Sequence, residues 1–297
     1  MITIIGAGRV GSAAAMRIAC MGIDDVMLID IAEGVAQGEA LDIAHACCSN
    51  VKITGSSRFE DMQGSELIIN TAGLARKPGM SRLDLMKENK KITEAIGKHI
   101  AGFAPNAVVM QVANPVDIMT LFMLRATGFP RERVIGMGSM LDMLRFSYLI
   151  SKELGGHEEL DTMVIGEHGD SMVPLVSYTM VSGKPVKDML DISKINELVE
   201  KTRTAGAEVI ALKGSTFHGP SAAVAIMAES IIKDRKKIIP ASVFLQGEYG
   251  FSGICMGVPV TLGKGGAENI IELELDENER TMLSASAKKI EEGLKND

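Results

Sequence analysis

The chain has 297 residues, 46% apolar and 23% charged, the balance of a folded protein able to bury one large core or two medium ones. Its formal charge of −7 repels phosphate backbones and argues against a nucleic-acid partner. No apolar run reaches the ~20 residues of a membrane helix, so no membrane partner is expected.

Met1 leads straight into a strand-like run with no basic segment before it, so a signal peptide is not expected. Cys20, Cys47, Cys48 and Cys255 form no C-x-x-C pair and no Cys/His ligand spacing, so no metal site is expected. Adjacent Cys47 and Cys48 are awkward partners for each other, which predicts reduced thiols and a cytoplasmic setting.

Taken in chain order, residues 1–5 form a short apolar strand that ends in glycine. Residues 11–21, rich in alanine, predict a helix packed closely on a sheet, and residues 26–30 a second strand that ends in an acid. Residues 67–71 and 108–112 are two further buried strands. Between them Ile92, Ile96, Ile100 and Phe103 recur with helical period, and Ala95 and His99 are placed on the same core-facing side. Alternating strands and helices imply an α/β fold with a parallel sheet.

The texture changes near residues 138–142, where two intimate domains are expected to meet, residues 1–139 and 140–297. A helix over 141–154 stops at Gly155-Gly156, and a short strand over 163–166 runs into a loop around His168. Runs at 243–245 and 257–262, with the alternating IELEL of 271–275, predict an antiparallel, half-exposed sheet. Asp276 is placed to cap a last helix.

Gly6-Ala7-Gly8-Arg9-Val10-Gly11 matches G-x-G-x-x-G, directly after a strand and opening a helix. Its glycines suit a tight turn, close backbone approach to a pyrophosphate and close helix–strand contact, while the helix N-terminus offers free N–H groups. Asp30 closes the next strand about 20 residues beyond Gly11. A carboxylate there accepts both ribose hydroxyls of NAD and repels a 2′-phosphate, so NAD is the expected cofactor.

Further along, Asp142 and Arg145 stand three apart on one helical face, and His168 lies between glycines at a strand end. Histidine suits proton exchange with a hydroxyl at neutral pH, and a carboxylate on its other nitrogen fixes the tautomer. Arg145 is then free to hold a substrate carboxylate in bidentate fashion. Among the other histidines, His157 is expected in a surface loop, and His45 and His218 are open. Residues 72–82 carry Arg76, Lys77 and Arg82 with a proline and two glycines, either a basic surface loop or a lid that brings arginines to an anion.

Together GAGRVG, LDIAHA, TAGLARKPGMSR, VANPVD, LDMLRF, GEHGDS and the LGKGG–IELELD segment resemble the lactate/malate dehydrogenase family over essentially the whole chain. The resemblance implies a Rossmann parallel-sheet NAD domain followed by a mixed α/β catalytic domain. It also implies His168 as proton donor and acceptor, Asp142 as its partner, Arg145 on the carboxylate beside the reacting carbon, and Arg82 polarising the carbonyl. Asn114 would meet the substrate oxygen and the nicotinamide ribose, and Thr216 would line the substrate pocket. Arg76 stands where lactate dehydrogenases tend to have glutamine, which implies a dicarboxylate substrate such as malate. The resemblance further implies a homo-oligomer, a dimer or a tetramer, and the start of the chain without an N-terminal arm resembles the tetrameric branch.

Three rival readings are a dehydrogenase of lactate or another 2-hydroxy acid, a short-chain dehydrogenase using Tyr148 and Lys152, and a non-catalytic NAD-binding protein. The Y-x-x-x-K spacing of Tyr148 and Lys152 falls on the helix that already carries Asp142 and Arg145, and the glycine pattern does not suit that class. A binding module has no need of Asp142, Arg145, His168, Arg76 and Arg82 together.

Overall fold

The computed structural model describes residues 1–47, 50–74 and 82–295. Cys48, Arg76 with the rest of residues 75–81, and the side chain of Arg82 lie outside the described residues.

The first half alternates strand and helix. It runs β1 (Ile2–Ile5), α1 (Arg9–Cys20), β2 (Val26–Ile29), α2 (Val35–Ala46), β3 (Ile53–Ser56) and β4 (Leu67–Asn70). It continues with α3 (Arg82–Phe103), β5 (Val108–Gln111), α4 (Val116–Thr127) and β6 (Val134–Gly136). These six strands pair in parallel in the order β6-β5-β4-β1-β2-β3, so the chain reverses its direction of winding between β1 and β4. Ligands bind at such a switch point because the loops leaving the two strands diverge and open a crevice.

Alternation along the strands explains their continuous apolar runs. Ile2 and Ile4, Leu28, Leu67 and Ile69, Val108 and Met110 pack on one face with Ala14, Ala15 and Ile18 of α1. Their neighbours Ile5, Ile29, Ile68 and Val109 pack on the other with Ile96 and Ile100 of α3. A parallel sheet covered on both sides leaves no polar face to alternate with. α4 is largely apolar and buried nearly all round from Val116 to Met123, where Asp117 in its first turn is the one charged residue.

The second half continues with α5 (Ser139–Glu153), β7 (Leu160–Asp161), β8 (Val164–Ile165), β9 (Val173–Pro174), β10 (Met180–Val181) and β11 (Lys184–Pro185). Then come α6 (Ile192–Lys213), α7 (His218–Ile232), β12 (Lys237–Gln246), β13 (Ser252–Gly263), β14 (Gly266–Ile270) and α8 (Glu277–Lys295). Strands β12, β13 and β14 form an antiparallel meander that joins the parallel sheet edge to edge, β12 against β6 through Ser242 and Gly136, giving one sheet of nine strands. The hydrophobic cluster that begins at Ile2 also includes Val258 of β13 and Leu283 and Ile290 of α8. A separate cluster joins Phe146 and Ile150 of α5 to Ile195 and Leu198 of α6. Asp276 and Glu279 cap α8 reciprocally: Glu279 N donates to Asp276 Oδ1 at 2.8 Å, and Asp276 N to Glu279 Oε2 at 3.1 Å.

Three expectations are corrected. Cys20 and Cys47 form a disulfide, with Cα atoms 5.3 Å apart, in place of the reduced thiols expected from the adjacent pair. α1 and α2 pack into the same cluster with their C-terminal ends together, a proximity that a separation of 27 residues does not disclose. Cys255 is free and buried. Residues 271–275 are not a strand, because the pairing of β14 ends at Ile270. His99 is exposed, its ring stacked on Phe59 at 4.3 Å, and Ala95 beside it is exposed too, so the core-facing side of α3 is narrower than its periodicity suggested.

Candidate active site

The glycine turn lies at the switch point, and its contacts show why those positions are glycine. Gly6 has φ +95°, where only glycine is unstrained, and a Cβ there would stand 2.9 Å from Ala72 N. A Cβ on Gly11 would stand 1.9 Å from the Gly6 carbonyl, so this glycine lets α1 close on the turn. Thr71 Oγ1, leaving β4, donates at hydrogen-bond distance to the carbonyls of Ile5 and Gly6, at 3.0 and 2.9 Å, and fastens the two strand ends together. Gly8 has open space within 4 Å of where a Cβ would be, and no side chain caps the N-terminus of α1. That is the form a cradle for a pyrophosphate takes: bare backbone on its open side and uncapped N–H groups at a helix start. The residues therefore fit a dinucleotide.

Asp30 follows β2 and reaches the same turn, accepting from Ala7 N at 2.8 Å and from Ala32 N at 2.9 Å. Arg9 extends from the turn to donate to Ser215 Oγ at 2.7 Å, beside Thr216 in the loop between α6 and α7. Val10 packs partly buried against the main core.

Asn114 precedes α4, with its side chain exposed and its carbonyl accepting from Asn89 Nδ2 at 2.8 Å. Asn89, buried on α3, also accepts from Leu74 N at 2.7 Å. One amide thus ties the segment after β4 to the segment after β5.

The acid–base candidates meet directly. His168, only 12% exposed in its side chain, shares a 2.8 Å hydrogen bond between Nδ1 and Asp142 Oδ2. Asp142, buried in the first turn of α5, accepts on its other oxygen from Arg145 Nη1 at 3.1 Å. Sequence reasoning left Arg145 wholly free; the structure commits one nitrogen to Asp142 and leaves the side chain 20% exposed. Gly206 on α6 makes room for that guanidinium, since a Cβ there would approach Nη2 to 3.1 Å. No hydrogen bond joins the side chain of Asn114 or Thr216 to these three groups among the described residues.

The histidine loop is fixed from several sides. Gly166 and Gly257 exchange backbone hydrogen bonds at 2.8 and 3.1 Å. Glu167 N donates to Ser286 Oγ of α8 at 2.6 Å, and His168 N to Asp117 Oδ2 of α4 at 2.9 Å. Burial pulls the His168 pKa down, but the charge and hydrogen bond of Asp142, with the charge of Asp117, outweigh it and hold the pKa above its ordinary value. Sequence reasoning gave Asn89, Asp117, Gly206 and Ser286 no role. For Asp117 two signals were available: an acid opening a largely apolar helix, and its place at the end of VANPVD.

Tyr148 is 62% exposed and Lys152 is exposed, away from the buried Asp142 on the same helix, so the Y-x-x-x-K pair is no part of this centre. No cluster of three or more His, Cys, Asp or Glu side chains suited to a metal occurs among the described residues. No helix among them is long and apolar enough to cross a membrane.

A dinucleotide cradle at the switch point and a buried histidine–carboxylate pair define the class as an NAD-dependent dehydrogenase. Residues 1–136 match the model of the lactate/malate dehydrogenase NAD-binding domain, and residues 139–297 that of the lactate/malate dehydrogenase α/β C-terminal domain. The malate dehydrogenase of Methanosarcina mazei is 46% identical over 99% of this chain and 97% of its own. The structure of malate dehydrogenase from Aeropyrum pernix superposes with a TM-score of 0.95 at 41% identity, over 99% of this chain and 97% of its own. That of lactate dehydrogenase from Cryptosporidium parvum, complexed with lactic acid and nicotinamide adenine dinucleotide, gives 0.94 at 35% identity, over 99% and 96%. The chain belongs to the lactate/malate dehydrogenase family.

Proposed function

We propose that the chain interconverts (S)-malate and oxaloacetate with NAD(H), and that the buried contact of His168 Nδ1 with Asp142 is the observation that carries the chemistry. When bound, NAD supplies the hydride acceptor or donor at its nicotinamide. Asp142 holds the proton of a neutral His168 on Nδ1, which leaves Nε2 as the base. In the oxidation the C2 hydrogen leaves with its electron pair, the hydroxyl proton passes to His168 Nε2, and the C2–O bond becomes a carbonyl. Reduction returns that proton, so it begins from protonated His168.

Arg145 pairs with the carboxylate next to C2, Arg82 with the developing charge on the carbonyl oxygen, and Arg76 with the second carboxylate. Asn114 and Thr216 complete the substrate pocket. Gly6, Gly8, Arg9, Val10 and Gly11 hold the pyrophosphate and Asp30 the ribose, with residues 1–139 as cofactor half and 140–297 as substrate half. The names of the relatives and the arginine at position 76 support malate over lactate. A cytoplasmic homo-oligomer, dimer or tetramer, completes the proposal.

The test is NADH oxidation by the purified protein with oxaloacetate and, separately, pyruvate, repeated with NADPH. Strong preference for oxaloacetate with NADH is expected; preference for pyruvate would keep the mechanism and sink the substrate. Arg76→Gln is expected to move the preference toward pyruvate by about tenfold or more, read as the ratio of kcat/KM values. Gly8 has φ −79° and open surroundings, so Gly8→Ala is expected to fold normally and weaken NADH binding by about tenfold. Titration calorimetry checks it, and unchanged affinity would place the pyrophosphate elsewhere.

A further inference from the structure

Asp117 sits in the first turn of α4 with 3% of its surface exposed, among Val116, Ile118, Met119 and Leu121, all buried. Burying a carboxylate in such a helix is costly unless its oxygens are satisfied, and both are. Oδ1 accepts from Ser242 Oγ of β12 at 2.6 Å, and Oδ2 accepts from the backbone N–H of His168 at 2.9 Å. An asparagine could keep both contacts, its oxygen accepting from His168 N and its amide donating to Ser242 Oγ, with the serine hydroxyl turned to another acceptor. What aspartate alone adds is negative charge, and it is placed behind the histidine.

We propose that Asp117 is a positioning residue of the acid–base centre. It fixes the backbone of His168 and acts as a second buried carboxylate, beside Asp142, that favours the imidazolium. The charges that act on Asp117 are few. His168 favours its ionised form, Glu167 on the same loop opposes it, and Cys255 of β13 faces it as a buried thiol whose own pKa is raised by burial and by Asp117. Those that act on His168 are Asp142 and Asp117, which favour its protonation, and Arg145, which opposes it. Burial pushes Asp117 up to about 6 against the hydrogen bonds from Ser242 and His168 and the charge of His168. Asp117 lies in the half that matches the NAD-binding domain and His168 in the half that matches the C-terminal domain, so this carboxylate sets the base of one half from the scaffold of the other.

The inference rests on His168 as the acid–base group, and the decisive readout does not need activity. In Asp117→Asn, made in the full chain, the imidazole of His168 is titrated by nitrogen-15 NMR, its signal assigned by comparison with His168→Asn. Its pKa is expected to fall by about half to one unit, below the shift from a directly paired charge because a backbone bond intervenes. The alkaline limb of kcat/KM for oxaloacetate reduction is expected to move with it, a loss of about 3- to 10-fold above that limb and little change well below it. Ser242→Ala removes one donor from the carboxylate, favours its protonated form, and is expected to lower the His168 pKa in the same direction by less. It carries the test if Asp117→Asn does not fold. An unchanged His168 titration in a folded variant, or a rate lowered equally at every pH, would overturn the role given to Asp117. Turnover that survives His168→Asn would instead overturn the acid–base assignment itself.

Discussion

Replacing His168 with asparagine is expected to lower kcat by about 10²- to 10⁴-fold in both directions, the range that general acid–base catalysis contributes, while NADH still binds. Among the described residues the imidazole is the one titratable group in contact with Asp142 that can carry a proton in and out near neutral pH. Its pKa is held above the usual 6.5, which sets the sign of the pH dependence. Under the proposed mechanism oxaloacetate reduction needs the protonated form, so its kcat/KM is expected to fall as pH rises through the His168 pKa. Malate oxidation would need the neutral form and is expected to rise over the same interval. Steady-state rates in the two directions between pH 5.5 and 9.5, with NADH affinity measured in parallel, check both statements. More than about a tenth of the activity surviving in His168→Asn would remove His168 from the chemistry.

Arg145→Gln is expected to reduce kcat/KM for oxaloacetate by about 10²- to 10³-fold, the scale of breaking one side of a buried charged pair. Two losses coincide: the substrate carboxylate loses its partner, and Asp142 Oδ1 loses a donor. Arg145→Lys is expected to recover little, because an ammonium cannot face Asp142 and a substrate carboxylate with the fixed fork of a guanidinium. The variant carries a second signature. Arg145 pushes the His168 pKa down, so removing it moves the alkaline limb of the reduction profile upward, opposite to the shift expected for Asp117→Asn. Loss of rate without that upward shift would mean that Arg145 acts on substrate alone.

What could be read from residues alone was local or periodic. The glycine turn, the helix it opens and Asp30 at the next strand end are one short βαβ unit, where spacing determines geometry. Asp142 and Arg145 are three apart on a helix, so their nearness needs no tertiary information, although the ion pair between them was not expected. Contacts across the fold were illegible: Asn89 with residues 74 and 114, Asp117 with His168, Ser286 with Glu167, and Cys20 with Cys47. Each depends on how helices lie over the sheet. The IELEL run misled for a physical reason. Leu273 and Leu275 are partly buried against the core, while Ile271 N donates to Pro259 O and Leu273 N to Tyr249 Oη. Burial on one side of an extended segment gives the same alternation as a strand without a strand partner. His99 misled similarly, because an aromatic stack with Phe59 occupies the rim of the apolar face of α3.

The meander of β12 to β14 has a practical consequence for anyone who would divide this chain. The natural place to cut falls between Gly136 and Ser139, where one family match ends and the other begins. A fragment that stops there would carry β6 as a bare edge, three buried residues with unpaired backbone groups and no charge to discourage a second copy from docking. Its complement would carry β12 with the same defect on the matching side, along with a histidine loop stripped of the Asp117 anchor. Such halves should stick to themselves before they find each other, so split-protein reporters and domain grafts are better opened in exposed loops, such as residues 155–157, than at the seam.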